Sequence, residues 1–212
     1  MTDTDTRTRA ERAYVFDFGR VLFRWRPEVL VASVLPHRNT DADSLARWVA
    51  QIFLDGDWQA FDRGTVEPAE LARRIAARSG LDEQEVLALV AACPQELQPL
   101  PDTVDWLRRL QAQGRPLHFL SNMPEPFARH FERTHDFLQA FESGVFSARV
   151  QLVKPEPEIF AHAARAYGRA PQSLLLIDDH LPNVIAARAA GWEAVHFVDA
   201  AQAEAEAVAK GW

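Results

Sequence analysis

Tyr14-Val15-Phe16-Asp17-Phe18-Gly19-Arg20-Val21-Leu22 places a carboxylate straight after a short, unbroken apolar run. Such a run, closed at once by Asp-Phe-Gly, reads as a buried strand that ends in a turn. Similar runs recur at Leu117–Leu120, Leu174–Ile177 and Ala194–Val198. Each is continuous rather than alternating, as expected for parallel strands covered on both faces. Helical spacing fills the gaps between them. Val104, Leu107 and Leu110 share a face in 103–113, before Gly114. Ile159, Phe160, Ala163 and Tyr167 do so in 157–167, before Gly168. Pro182 suits a first helical turn, with Val184 and Ala187 inward and Gly191 closing 182–190. Strand and helix therefore alternate from about residue 101 to 200, which predicts a doubly wound α/β domain with a parallel sheet.

Residues 22–97 carry no strand pattern. Leu71 and Ile75 mark a helix ending at Ser79-Gly80, Asp82 and Glu85 make a capping box ahead of Val86, Leu87 and Val90, and 41–53 reads as an earlier helix. The expected organisation is a core of residues 1–21 and 98–212, interrupted after its first strand by a small all-helical insert, 22–97. Residues 1–12 read as a frayed polar tail, and the Ala/Glu-rich 200–210 as a terminal helix.

The chain has 212 residues, enough to bury a sizeable core, and its net charge of −7 argues against nucleic acid as a partner. The first residues lack the apolar core of a signal peptide, and no run reaches the length of a membrane helix, so no membrane association is expected and the cytoplasm is the default compartment. The single cysteine, Cys93, reads as a buried structural thiol.

In open α/β sheets ligands bind beyond the carboxyl ends of the strands, so the polar residue closing each apolar run is a candidate. These are Asp17, Ser121-Asn122 and Asp178-Asp179, with Lys154-Pro155 expected to open a helix between them. Taken singly, Asp17 and Ser121-Asn122 are equally compatible with turn and capping roles, and Lys154 with a solvated surface lysine. Two adjacent carboxylates at a buried strand end repel each other unless a cation sits there, and hard oxygen donors favour Mg²⁺ over Zn²⁺. His180 beside them reads as a solvated neighbour rather than a ligand.

Phe16-Asp17-Phe18-Gly19-Arg20-Val21-Leu22, Leu120-Ser121-Asn122, Val153-Lys154-Pro155 and Ile177-Asp178-Asp179, with Asn183 and Gly191, resemble the four ordered motifs of the haloacid dehalogenase (HAD) superfamily. The resemblance implies a Rossmann-like core with a helical C1-type cap, as in subfamily IA. The stretch Trp58-Gln59-Ala60-Phe61-Asp62-Arg63-Gly64 is similar to a cap signature of a subgroup that includes glucose-1-phosphate-type sugar phosphatases. The implied activity is Mg²⁺-dependent hydrolysis of a small phosphorylated substrate, most simply a sugar phosphate, through an aspartyl-phosphate. By the same resemblance Asp17 is the nucleophile. Mg²⁺ is held by Asp17, the Gly19 carbonyl and Asp179, with Asp178 behind them or acting through water. Ser121 and Asn122 bind phosphoryl oxygens, Lys154 neutralises their charge, and Arg63 reads the leaving group from the cap.

Two positions depart from the family pattern. Gly19 stands where most HAD phosphatases carry a second Asp that protonates the leaving group, and Arg20 stands where glycine is common. Loss of a general acid costs roughly 10²–10⁴-fold on leaving groups that need one, which favours anomeric sugar phosphates or acyl phosphates. Two other functions compete: a metal-free 2-haloacid dehalogenase, which would gain nothing from crowded Asp178-Asp179, and a non-catalytic binding protein, for which Gly19 is the support.

Overall fold

The computed structural model describes residues 12–38 and 41–212. Five strands, β1 (Ala13–Phe16), β2 (Leu117–Ser121), β3 (Ser143–Phe146), β4 (Leu174–Asp178) and β5 (Glu193–His196), form one parallel sheet in the order β3-β2-β1-β4-β5. β1 and β4 are buried along their whole length, as their unbroken apolar sequences require. The chain builds outward from β1 through β2 to β3, then crosses to β4 on the other side. The crevice at the carboxyl ends of β1 and β4 is therefore the point where strand order reverses, the usual place for a ligand in such sheets.

Between β1 and β2 the chain forms helices α1 (Pro27–Val34), α2 (Ala42–Phe53), α3 (Gly56–Asp62), α4 (Pro68–Ser79) and α5 (Glu83–Glu96). α4 buries Leu71, Ala72 and Ile75, and α5 buries Val86, Leu89, Val90 and Cys93, each set spaced for one helix face. Capping is local: the Asp41 carboxylate accepts from the Ser44 N–H at 2.7 Å, and that of Glu85 from the Asp82 N–H at 2.8 Å. The two crossings into and out of this insert run side by side, with Arg24 N–H donating to Gln98 O at 2.7 Å and Leu100 N–H to Leu22 O at 2.8 Å.

Core helices α6 (Pro101–Ala112), α7 (Glu125–Thr134), α8 (Ser147–Val150), α9 (Pro157–Ala166), α10 (Leu181–Ala189) and α11 (Ala200–Ala209) complete the fold. The expected helices are present within a residue or two of their expected ends. Lys154-Pro155, expected to open one of them, instead lies in the turn ahead of α9, whose first residue is Pro157. Of the expected tail, residues 1–11 lie outside the described residues. Arg12 is tied down: its guanidinium donates to Gly211 O at 2.6 Å and covers the Trp212 ring. Among the described residues no helix is long and apolar enough to cross a membrane.

Three consecutive residues fasten the insert to the core at the end of α3. The Ser147 hydroxyl donates to Asp62 O at 2.5 Å, Arg63 forms a two-pronged ion pair with Glu156, and Gly64 packs against Ala148. Gly64 has φ +74°, and a Cβ there would lie 2.6 Å from the Ala148 carbonyl oxygen. Gly64→Ala should therefore lower unfolding stability by at least the roughly 1–2 kcal/mol of a left-handed L-residue. Urea denaturation measures this, and an unchanged midpoint would contradict the close approach.

Candidate active site

The strand ends deliver the charges. β1 is followed by Asp17, β4 ends in Asp178-Asp179, and the turn before α9 inserts Lys154 between them. The Lys154 ammonium, 1% exposed, lies 2.9 Å from Asp17 Oδ1 and 2.6 Å from Asp178 Oδ2. Burial pulls its pKa down, but the two carboxylates outweigh burial and raise it, so it is a permanent cation. Asn122 clamps the Lys154 backbone from both sides: its Nδ2 donates to Lys154 O at 2.9 Å, and its Oδ1 accepts from Lys154 N–H at 2.8 Å.

The acidic residues differ in what is left of their hydrogen-bonding capacity. Asp178 is fully buried and committed: besides Lys154 it accepts from His180 N–H at 2.9 Å and Asn183 Nδ2 at 3.0 Å. Asp17 accepts from Phe18 N–H at 2.7 Å. Burial, with Asp178 and Asp179 nearby, pushes its pKa up to about 7 against the pull of Lys154. Asp179 is half-buried. Burial and Asp178 raise its pKa, with Arg20 and Lys154 opposing. Asp17, Asp178 and Asp179 each offer an oxygen within 4.8 Å of the others. Hard oxygen donors crowded at one spot, with carboxyls pushed toward protonation by burial and by one another, suit Mg²⁺.

A cavity of about 780 Å³ opens above these groups. Its floor includes Asp17, Gly19, Asn122, Lys154 and Asp179, and the exposed His180 lies on its wall. The insert contributes Trp25, Val49, Phe53, Leu54 and Trp58. The rings pack edge to face, Trp25 on Phe53 at 5.2 Å and Phe53 on Trp58 at 4.5 Å between centroids, and Leu54 is 78% exposed beside them.

Several expected residues are placed differently from their implied roles. Ser121, at the end of β2, is buried and does not line the cavity. Arg63 does not line it either: Glu156 and the Gln151 carbonyl hold its guanidinium, so it serves as a strut between insert and core. Asn122 reaches the cavity, but its amide is occupied by Lys154. Arg20 has φ +56°, the backbone region that makes glycine common at this position, and its side chain lines the cavity.

Asp62, which sequence reasoning passed over, lines the cavity from the end of α3. Burial, reinforced by the Asp17 carboxylate and opposed by Lys154, pushes its pKa up to about 8. Among the described residues nothing hydrogen-bonds or ion-pairs with its carboxyl. A signal was available: Asp55, Trp58, Gln59 and Asp62 are spaced along one helical face, and all four line the cavity.

The family model for haloacid dehalogenase-like hydrolases matches residues 12–191. The chain belongs to this family. A sesquiterpene phosphatase of Aspergillus oryzae is 28% identical over 189 residues, 89% of this chain and 90% of the relative. The phosphoglycolate phosphatase of Escherichia coli is 35% identical over 95 residues, 45% of this chain and 38% of that protein. A HAD family enzyme of Bacteroides thetaiotaomicron, solved with magnesium and inorganic phosphate, superposes with a TM-score of 0.67 at 21% identity, covering 87% of this chain and 92% of that one. The L-2-haloacid dehalogenase of Xanthobacter autotrophicus gives 0.64 at 19% identity, covering 86% and 76%. Both structures share the fold of this HAD-like hydrolase.

The raised carboxyl of Asp62 has a thermodynamic signature. In the unfolded HAD-like chain Asp62 ionises from about pH 4, whereas in the folded chain it stays protonated to about pH 8. Its contribution to stability is therefore full below about pH 4 and lost as pH rises to about 8. Asp62→Asn does not titrate, so its melting temperature should exceed the wild type's by a margin that widens from about pH 5 to 8 and then levels. A margin independent of pH, followed by calorimetry, would contradict the raised carboxyl.

Proposed function

We propose that this chain hydrolyses phosphate monoesters through a phosphorylated Asp17, and that the organic half of its substrate is apolar. The observation that carries the reading is the contrast within one cavity: a floor of fixed charge under an insert wall in which Trp25, Val49, Phe53, Leu54 and Trp58 stand beside Glu28, Asp55, Gln59 and Asp62. Phosphoryl transfer chiefly requires positioning and charge neutralisation, and Lys154 supplies a buried cation beside the nucleophilic carboxylate. Asp178 and Asn122 hold Lys154 in place from its two ends. Arg20, on the cavity side, adds positive charge for the phosphoryl group. Asp17, Asp179 and the Gly19 carbonyl would hold Mg²⁺, and Asp178, already saturated with donors, would orient the others. When bound, the metal supplies Lewis-acid stabilisation of charge on the phosphoryl oxygens.

The helical insert is the cap of this site, covering it from the side opposite the sheet and excluding water. Its wall argues against the sugar phosphate first expected. A sugar's hydroxyls would lose their hydrogen bonds to water against Trp25, Val49, Phe53 and Leu54, whereas a hydrocarbon gains about 0.8 kcal/mol for each buried methylene. The sesquiterpene phosphatase, alike over nearly the whole chain, supports the same substrate class. The crowded acidic pair, which calls for a cation, disfavours the metal-free dehalogenase alternative, and a complete set of charges around Lys154 disfavours a merely binding protein.

With Mg²⁺ present, kcat/KM for straight-chain alkyl phosphates should rise by up to about fourfold per methylene until the cavity is filled, and exceed that for glucose 1-phosphate. Leu54→Glu should flatten the chain-length dependence. Chelation should abolish turnover, and Mg²⁺ should restore it. Preference for glucose 1-phosphate would reject the apolar reading, and full activity in chelator would reject the metal.

A further inference from the structure

Gly19 leaves this site without the acid that the family motif would place on the core. A Cβ at Gly19 would meet nothing within 4 Å, so the space beside this backbone is open. An alkyl ester makes the lack acute, because an alkoxide is a far poorer leaving group than a phenolate. A donor is needed that faces the phosphoryl position from the side of the leaving group, which is the side of the insert.

We propose that Asp62 is the general acid–base of this site, presented to the ester oxygen by the insert rather than by the core. The inference rests on the phosphatase reading above and adds the identity of the proton donor. Asp62 lines the cavity and lies within the electrostatic reach of both Asp17 and Lys154. The other carboxyls that the insert brings to the cavity, Glu28 and Asp55, are exposed, whereas Asp62 is half-buried. Its position is fixed by its own backbone and its two successors. Ser147 holds the Asp62 carbonyl, Glu156 holds Arg63, and Gly64 sits against Ala148. Ser147 is itself fixed to the core through Met123 N–H at 2.8 Å. Such fastening places a carboxyl of the insert at a set distance from core groups, which proton transfer requires. Burial and the negative charge of Asp17 keep it protonated before reaction.

In the first step an Asp17 carboxylate oxygen bonds to phosphorus as the bond from phosphorus to the ester oxygen breaks. The Asp62 proton passes to that oxygen, which departs as the alcohol. Asp62, now a carboxylate, takes a proton from the water that attacks phosphorus. The bond between Asp17 and phosphorus breaks, inorganic phosphate leaves, and both side chains return to their starting states.

The test compares wild type with Asp62→Asn on n-octyl phosphate and p-nitrophenyl phosphate in Mg²⁺. kcat/KM reports steps up to the first irreversible cleavage, in which only the alkyl ester depends strongly on an acid. The ratio of octyl to aryl kcat/KM should fall by about 10²–10⁴-fold in Asp62→Asn, and likewise in the smaller Asp62→Ser. Residual aryl turnover certifies that each variant is folded. Equal losses on both esters, or no loss on either, would overturn the assignment to Asp62 while leaving the phosphatase reading intact. A wild-type protein that hydrolyses neither ester would sink the phosphatase reading itself.

Discussion

The Lys154 ammonium, almost wholly out of water, joins Asp17 beyond β1 to Asp178 at the end of β4. Removing either partner of such a buried pair typically costs 3–5 kcal/mol, because the remaining charge is stranded. Much of the surrounding chain answers to this constraint. Asn122 holds the Lys154 backbone, His180 N–H and Asn183 hold Asp178, and Phe18 N–H holds Asp17. The polar contacts at the carboxyl ends of three adjacent strands are thus spent largely on keeping one lysine charged and still. Burial first, and the neighbouring carboxylates second, keep the Asp17 and Asp179 carboxyls raised against the pull of Lys154.

In the proposed function, core and insert divide the chemistry. The strand ends of the parallel sheet hold the charges, each fixed by its neighbours, and the core also lends the cavity Met123, Pro124 and Phe127. The insert lines the cavity with aromatic and aliphatic side chains, the exposed Glu28 and Asp55, and the half-buried carboxyl of Asp62. Ser147, Glu156 and Ala148 bind the end of α3 to the core, so the two sides keep register.

Much of this was legible in the sequence, and the omissions have physical causes. The strands around the site are continuous apolar runs, because both faces of β1 and β4 are covered. β3 escaped notice because its first residues, Ser143 and Gly144, lie at the sheet edge and need not be apolar. α1 and α3 are short, with few inward residues to set a period. α7 does carry an amphipathic pattern, Phe127, Ala128 and Phe131 on one face, which the sequence reading left unused. The carboxylates and Lys154 were visible as strand-end residues, but which oxygens remained free depended on contacts across the fold. Asn122, expected to bind phosphoryl oxygens, and Asp178, expected behind the metal ligands, are both engaged by Lys154. Arg63 drew attention by its charge, yet it points to Glu156, while its neighbour Asp62, about 100° away around α3, faces the cavity.

The proposed function stands or falls on covalent chemistry at Asp17. The direct measurement is to quench the wild-type protein during turnover of an alkyl phosphate in Mg²⁺, reduce any acyl phosphate with borohydride, and map the peptides by mass spectrometry. Asp17 should be converted to homoserine, dependent on substrate, and this should be absent from Asp17→Asn, which should be inactive. Modification of a different residue, or continued turnover by Asp17→Asn, would contradict it.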